Sequence, residues 1–552
     1  MFFYKRLHHS CTWLSLLVVS IASLLIIRAD VSYNQTFDET AHIACGMEWL
    51  SLGTYNFEDL HPPLARTATA LLLYMSGIRS KGLPLKFVEE GHPMMGAEGT
   101  AILNSNDAYR HNLLLARLGV LPFFWLSCLL IFYWMRRNVG IRTGLFAVLL
   151  FCFCPPVLAH YALAITDAPF MTMFLLSVIS FACFLEAPSY RNGVLAGLSF
   201  ALATLTKFTE IPFFFVTSGV LLTWYLHSGG RLLKLVRPLA LGALAMLITI
   251  WAGYRFSIGP LLTQEFVHPT TQARLARMSP EERAFFMEMK LPAPELYRGL
   301  YGAYLAGAIQ RRSGYICGHV YQGGKWYFFP IAVLSKTPLA VLLLSGVGLL
   351  TFLGRKGIRA PVTALLIAGI VGPMLIGMAG NLNLGLRHVL PIYPFLAMLA
   401  AVGTCHLWTK SEAIDRAWIW KSTPAVLVTW EVVGCLLAAP QFLPYFNEVA
   451  MPYYGRILVE SDLDWGQDLY LLEARLENVN PSEIHLAYFG DNTIVRHNSG
   501  RWANLLHGDR PKGWIAVSET LIQENRQTYT WLLGRPFERI GQSIRLYYLP
   551  LR

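Results

Sequence analysis

The chain has 552 residues, 54% of them hydrophobic and only 14% charged, with a mean hydropathy of +0.43 and a formal net charge of +11. A soluble domain carries nearer ~25% charge, so the composition excludes an ordinary soluble enzyme and identifies a polytopic membrane protein. The positive balance sits in short loops between apolar runs, and no basic stretch is interleaved with aromatics, which excludes nucleic acid as the partner.

The N-terminus places Lys5-Arg6 before an apolar run at 11–28, in the manner of a signal peptide. No small-x-small cleavage site follows, so the run is expected to stay as the first membrane helix. Further runs lie at 112–135, 143–162, 166–186, 193–207, 211–227, 236–255, 329–353, 361–379, 386–407 and 422–440. With ~20 residues needed per span, that predicts about eleven transmembrane helices. One set of short loops carries Arg136, Arg137, Arg142, Arg191, Arg231, Lys234, Arg237, Arg355, Lys356, Arg359, Lys410, Arg416 and Lys421; the opposite set carries little beyond Lys207 and Arg387. The positive-inside rule then puts the N-terminus in the cytoplasm and, with an odd span count, the C-terminus outside. Residues 1–440 form the membrane domain. Outer loops 29–111 and 256–328 share the external face with a tail, 441–552.

The first outer loop opens on the acidic pair Asp38-Glu39, followed by His42, and closes on Asp59-Leu60-His61-Pro62-Pro63-Leu64. Adjacent carboxylates at a bilayer edge are costly to desolvate and do not serve packing. A helix over 38–50 would put Asp38 and His42 on one face. The plainer reading is a solvated loop leading into an interfacial helix, its carboxylates at the positive end. His61 precedes two prolines, which hold it extended.

Charged residues at the outer ends of spans come next. Arg117 lies inside the second run. Asp167 stands in the tight turn before the fourth, where it suits a helix N-cap as well as a functional carboxylate. Lys207 reads either as a snorkelling anchor or as part of a site. Lys336 lies about two turns into an apolar run, where a lysine costs roughly 2.5–3.5 kcal/mol to insert and calls for a partner. Arg387-His388 opens the tenth run.

In the second outer loop, 280–289 and 295–309 are amphipathic and are expected along the membrane surface. The tail reads as a small α/β domain, with a helix over 464–479 and strands at 484–489, 514–517 and 543–549. Of nine cysteines, Cys152 and Cys154 have neither metal-ligand spacing nor polar company; Cys45 and Cys317 fall in the two outer loops and are candidates for pairing.

Asp38, Glu39 and Asp167 supply carboxylates at one membrane face, and His61, Arg117, Lys207, Lys336 and Arg387 supply donors and positive charge at a similar depth. Carboxylates serve as a general base toward an attacking hydroxyl, and cations stabilise a departing phosphate. Glycosyl transfer from a polyprenyl-phosphate sugar fits each part: nucleotide sugars are not expected outside the inner membrane, and phosphate leaves without a separate acid. One base and direct displacement predict inversion.

The ordered motifs resemble a family. Asp38-Glu39, then Asp59 to Leu64, resembles the protein O-mannosyltransferases and their bacterial relatives, family thirty-nine of the C-type glycosyltransferase superfamily. Gly323-Gly324-Lys325-Trp326-Tyr327-Phe328-Phe329-Pro330 with Lys336-Thr337-Pro338-Leu339 looks like that family's eighth-span signature. Tyr445 to Glu448 and Ser461 to Leu469 are similar to the tail of bacterial lipid-carrier-dependent glycosyltransferases. The resemblance implies a polytopic helical fold, a cavity for a lipid tail, Asp38 as base, Glu39 in substrate positioning, and Asp167 as the second acidic position. His61 stands where aminoarabinose transferases carry a lysine, and as a histidine it is only partly charged near neutral pH. Arg117 looks like the mannosyltransferases' second-span arginine. Loop 256–328 is too short for their inserted sugar-binding-like domain, which counts against a protein acceptor over a lipid or glycan of the cell envelope. Asp464-Trp465-Gly466-Gln467 reads as a capped helix start.

Two other classes remain. A transporter or lipid flippase would line a path with Lys336 and Arg117, but paired halves with broken mid-membrane helices are absent from the sequence pattern. A scaffold leaves the acidic pair unexplained. No cofactor is expected to be required; the metal alternative gathers Asp38, Glu39, His42 and His61 with His268 or His319.

Overall fold

The computed structural model describes residues 2–55, 57–80, 93–261, 278–309, 311–354, 360–410, 417–490 and 501–550. The expected positions Arg355, Lys356, Arg359, Arg416 and His268 lie outside these residues.

Helices dominate. In chain order they begin with α1 (Phe2–Ser32), α2 (Glu39–Ser51), α3 (Pro63–Met75), α4 (Pro93–Leu103), α5 (Tyr109–Leu118), α6 (Leu121–Asn138), α7 (Ile141–Cys152), α8 (Pro155–Tyr161), α9 (Asp167–Glu186), α10 (Tyr190–Thr204), α11 (Glu210–His227) and α12 (Leu233–Gly253). Among the described residues six helices are long and apolar enough to cross a bilayer, or eight if each of two bent pairs counts as one span. The chain is a multi-pass membrane protein. The two most deeply packed of these segments are α9 and Leu386–Thr409, 83% and 89% buried, whereas α12 is 22% buried and faces outward. That contrast follows composition: α9 is apolar on every side, as a helix surrounded by others must be. On the periphery, Gly197 of α10 faces the backbone of Gly242 in α12, and Gly242 that of Gly193, leaving no room for a Cβ; small residues let helices touch in this way.

Two expected spans are broken. The run 143–162 bends by 66° between α7 and α8, and 329–353 turns by 111° between Phe328–Lys336 and Leu339–Phe352. Proline causes both: Cys154 before Pro155 and Thr337 before Pro338 are extended, the conformation a following proline imposes. Lys336 therefore stands at a corner and not inside a continuous span.

In the first long loop α2, α3 and α4 pack together around Ile43, Met47, Ala70, Leu73, Ile102 and Leu103. Gly46 admits the Arg66 carbonyl of α3, which a Cβ would strike. Most of α2 is thus buried in protein and does not lie on the lipid surface. The second loop contributes helices near the two expected, Pro280–Glu288 and Pro294–Tyr304, an antiparallel strand pair, β1 (Ile258–Pro260) with β2 (Lys290–Pro292), and an antiparallel hairpin, β3 (Ser313–Ile316) with β4 (His319–Gln322).

The tail divides differently from the expected boundary at 440. Phe442, Leu443, Phe446, Leu458, Val459, Leu463 and Trp465 belong to the main core of the membrane domain. The separate unit begins at helix Leu469–Val479. It holds a five-stranded mixed sheet, ordered β6 (Trp502–Asn504), β5 (Ile484–Ala487), β7 (Gly513–Ser518), β9 (Ile544–Leu549), β8 (Glu538–Ile540). Leu469, Leu472 and Leu476 cover one face with Ile484 and Leu486. The residues 464–468, expected as helix, are irregular, and Cys45 and Cys317 are both free thiols.

Candidate active site

Four elements meet at one end of the bundle: the N-terminus of α2, the N-terminus of α9, the turn between α10 and α11, and the 3-10 turn Leu386–Ile392. Asp38 immediately precedes α2 and accepts at its carbonyl from the His42 amide. Asp167 opens α9, where helix N-termini favour negative charge. It lies 40 positions from Lys207, yet Lys207 Nζ donates to Asp167 Oδ1 at 2.5 Å. Arg387 joins the carboxylates: its Nη1 is 2.5 Å from Asp38 Oδ2 and 3.9 Å from Asp167 Oδ2. The structure brings Asp38, Asp167, Lys207 and Arg387 into one cluster of two anions and two cations. Asp38 is its most open member, with 28% of its side chain exposed.

Arg387 is held on three sides. Its Nε donates to the Leu384 carbonyl at 3.2 Å, and its guanidinium carbon lies 4.3 Å over the Trp465 ring. Nη2 of Arg387 and two Lys207 hydrogens have no bonded partner among the described residues, so each cation retains donors for an anionic ligand.

His61 stands beside this cluster. Its ring meets His42 edge-on at 5.1 Å, and its Nδ1 is 3.3 Å from both Glu58 Oε2 and Arg66 Nη2. Desolvation, then Lys207, holds the imidazole down to about 4, with Asp38 and Asp167 opposing. His61 is therefore neutral at physiological pH and adds hydrogen-bonding capacity to the cluster, not charge. Arg66, unremarked in the sequence, fixes this wall. It pairs with Glu58, donates from Nη1 to the Glu58 carbonyl at 2.8 Å, and donates from Nε to His42 Nδ1 at 3.3 Å. An arginine on the first turn of the alanine-rich helix α3 was its visible signal.

Three expected site residues lie elsewhere. Glu39 and Arg117 form a buried pair behind the cluster. Arg117 donates from Nε to Glu39 Oε1 and from Nη2 to Oε2, each at 2.8 Å, and reaches the carbonyls of Asp30, Tyr33 and Asn34. Glu39 further accepts from the amides of Thr36 and Ala164. The pair thus ties the end of α1, the loop before Asp38 and the turn before α9 into one frame, and has no donor left over for a ligand. Lys336 donates to the Leu443 carbonyl at 2.8 Å and to the Asp462 carbonyl, and packs over Phe446. Those partners belong to the segment after the last span, so Lys336 braces that segment.

The segment Asp464-Trp465-Gly466-Gln467, without chemistry of its own in the sequence, sets the loop before Asp38. The Asn34 amide donates to Gln467 O and the Phe37 amide to Trp465 O, both at 3.0 Å. Gly466, at φ +85°, makes the turn that aims these carbonyls. Gln467 Nε2 donates to Leu463 O and its Oε1 accepts from the Trp465 amide, locking the turn from within. Trp465, so placed, is the platform under Arg387.

Among the described residues no three His, Cys, Asp or Glu side chains gather in a metal-holding arrangement. Of the expected metal set, Glu39 is committed to Arg117 and His42 to Arg66.

Residues 110–253 match the family model described as dolichyl-phosphate-mannose-protein mannosyltransferase. The matched segment contains Arg117, Asp167 and Lys207. No curated protein matches the chain in sequence. The chain is similar to the crystal structures of ArnT from Cupriavidus metallidurans, bound to undecaprenyl phosphate and in the apo state. Each is 14% identical; the bound form has a TM-score of 0.47 over 96% of this chain and 97% of that chain, and the apo form 0.46 over 97% and 98%. It is also similar to the apo oligosaccharyltransferase of Archaeoglobus fulgidus, 12% identical, at a TM-score of 0.43 over 78% of this chain and 56% of that one.

Proposed function

We propose that this protein is an inverting glycosyltransferase that moves a sugar from a polyprenyl-phosphate carrier to an acceptor on the outer side of the cytoplasmic membrane. The observation that carries the reading is the Arg387 guanidinium set between Asp38 and Asp167, with Lys207 completing the cluster at the mouth of the bundle. The mannosyltransferase match over 110–253, which covers two of these four residues, supports it. A transporter reading is not favoured: charges gather at one edge and do not line a path.

In this reading Asp38 is the base, because its carboxylate is the most exposed of the cluster. The acceptor hydroxyl attacks the anomeric carbon, its proton passes to Asp38, and the bond from that carbon to the phosphate oxygen breaks. Polyprenyl phosphate leaves with one more negative charge, which the remaining donors of Arg387 and Lys207 stabilise. Neutral His61 offers a hydrogen bond to the donor without altering the charge balance. Asp167 holds Lys207 and, more weakly, Arg387 in place. Glu39 and Arg117 act as frame. The positive-inside pattern puts the N-terminus in the cytoplasm and the cluster outside.

The test is release of polyprenyl phosphate by the purified full chain from a radiolabelled polyprenyl-phosphate sugar, with envelope lipid, glycan and protein fractions offered as acceptors. Release that requires an acceptor fraction is expected. Absence of release with all three fractions, from protein shown to be folded, would overturn the proposal.

A further inference from the structure

The short turn Glu460–Asp462 adjoins the charged cluster, and two of its three side chains are committed. Ser461 Oγ donates at 2.6 Å to the Leu384 carbonyl, the same oxygen that accepts from Arg387 Nε. Asp462 Oδ1 accepts from the Leu386 amide at 3.0 Å. The turn is thereby pinned to the loop that carries Arg387. Glu460 differs from its neighbours. Its carboxyl has no hydrogen bond and no ion pair among the described residues. It is partly exposed and, unlike Asp462 Oδ2 beside it, is not sealed from solvent. Its backbone sits at φ +55°, a left-handed conformation that disfavours any side chain. It is held there from both sides: the Glu460 amide donates to Thr520 Oγ1 at 3.0 Å, and its carbonyl accepts from the amides of Leu463 and Asp464 at 2.9 and 2.7 Å. Glycine takes this conformation freely, yet a glutamate stands here. Strain kept at a residue whose side chain bonds nothing points to function.

The neighbours decide what such a carboxyl can meet. Arg387 and Asp38 are among the charges that act on it, so it belongs to the same site. Burial lifts it to about 7 against the pull of Arg387, the state of an acid that lacks hydrogen-bond donors. A carboxylate beside a phosphate site repels the phosphate, so it faces a part of the ligand that donates. On a polyprenyl-phosphate sugar the lipid chain and the phosphate diester have no donor; the sugar hydroxyls do. We propose that Glu460 is a sugar-binding residue of this site, accepting a hydrogen bond from a hydroxyl of the sugar on the carrier. The inference rests on the transfer reading and adds a specificity-determining residue to it, supplied by the segment after the last span.

The experiment titrates the full-length protein with undecaprenyl phosphate, bare or bearing mannose, glucose, galactose or N-acetylglucosamine, and reads affinity from the ligand-induced shift in unfolding midpoint. Release of polyprenyl phosphate is measured in parallel. Glu460→Gln is expected to lose roughly tenfold in affinity for at least one sugar-bearing carrier, the size of one charged hydrogen bond. It should bind the bare carrier at least as well as wild type does, since a repelling charge is gone. Glu460→Gly should show the same loss with a raised unfolding midpoint in the absence of ligand, because glycine relieves the left-handed backbone; it carries the test should Glu460→Gln fail to fold. Wild-type affinity of both variants for every sugar-bearing carrier would overturn the proposal. So would an equal loss for bare and sugar-bearing carriers, or a lowered midpoint in Glu460→Gly, which would make the carboxyl a support of the fold. Release by wild type with sugar affinity indifferent to Glu460 would strike this inference and leave the transfer reading standing. Sugar affinity that depends on Glu460, without release toward any acceptor fraction, would strike the transfer reading and keep Glu460 as a sugar-binding residue.

Discussion

Replacing Arg387 by glutamine tests the cluster most directly. The side chain touches both carboxylates, 2.5 Å to Asp38 and 3.9 Å to Asp167, and rests on Trp465. Glutamine keeps a hydrogen bond to Asp38 but removes the charge that would meet the departing phosphate. A charged hydrogen bond contributes about 1.5–3 kcal/mol, and loss of one transition-state donor lowers turnover by about 10²–10³-fold. That is the expected fall in kcat/KM for Arg387→Gln. Arg387→Lys should recover only part of it, because one ammonium cannot replace a planar fork that serves two carboxylates, the Leu384 carbonyl and a ring face. Breaking a fully buried pair destabilises by about 3–5 kcal/mol, but less here, since Asp38 is 28% exposed and Asp167 keeps Lys207. The assay is single-turnover release of polyprenyl phosphate, normalised to folded protein from thermal unfolding, for the two Arg387 variants, Asp38→Asn and the double variant Asp38→Asn/Arg387→Gln. Additive losses in the double variant would argue against coupling of the two residues. Wild-type kcat/KM in Arg387→Gln would refute the phosphate assignment outright.

Asp38→Asn should lower kcat by about 10²–10⁴-fold, the range for a lost general base, with donor affinity nearly unchanged; full turnover would remove Asp38 from the reaction. Lys336→Met should lower the unfolding midpoint, since it cuts the ties to Leu443 and Asp462, while the donor KM of the folded fraction holds; a raised KM at unchanged midpoint would return Lys336 to the phosphate site. Because His61 is held to about 4, kcat/KM should show no limb near pH 6.5; a limb there that His61→Gln abolishes would show a charged imidazole at work. In the tail, burial raises Asp464 to about 8 and Asp468 to about 6, from 3.8. The folded state then holds protons that the unfolded chain has released, so stability should decline as pH rises from about 4 to 8. Asp464→Asn and Asp468→Asn should flatten that decline in unfolding midpoints; an unchanged slope would contradict the assignment.

The membrane helices and the members of the charged cluster were legible because burial of charge in an apolar chain has few explanations. Asp38, Asp167, Lys207 and Arg387 stood out on that ground alone. Their partners did not, since a pair such as Lys207 and Asp167 forms only through packing of α9 against the α10–α11 turn. Glu39 beside Asp38 shows the limit: adjacent residues at a helix start point in different directions, one toward the mouth and one back to Arg117. Lys336 misled because Pro338, which turns the chain by 111°, reads in sequence as a small defect in a long apolar run. Trp465 was invisible as a platform, because nothing in Asp-Trp-Gly-Gln says that its carbonyls will face residues 34 and 37. The strands Trp502–Asn504 and Glu538–Ile540 are three residues each, too short for a period to register.

The backbone bonds from Asn34 and Phe37 to Gln467 and Trp465 join positions more than 400 residues apart. During synthesis Asp38 emerges early, long before its clasp exists. A nascent chain therefore carries this carboxylate unaimed until translation has passed residue 467. Incomplete products released before that point lack the clasp altogether, a consequence of connectivity alone.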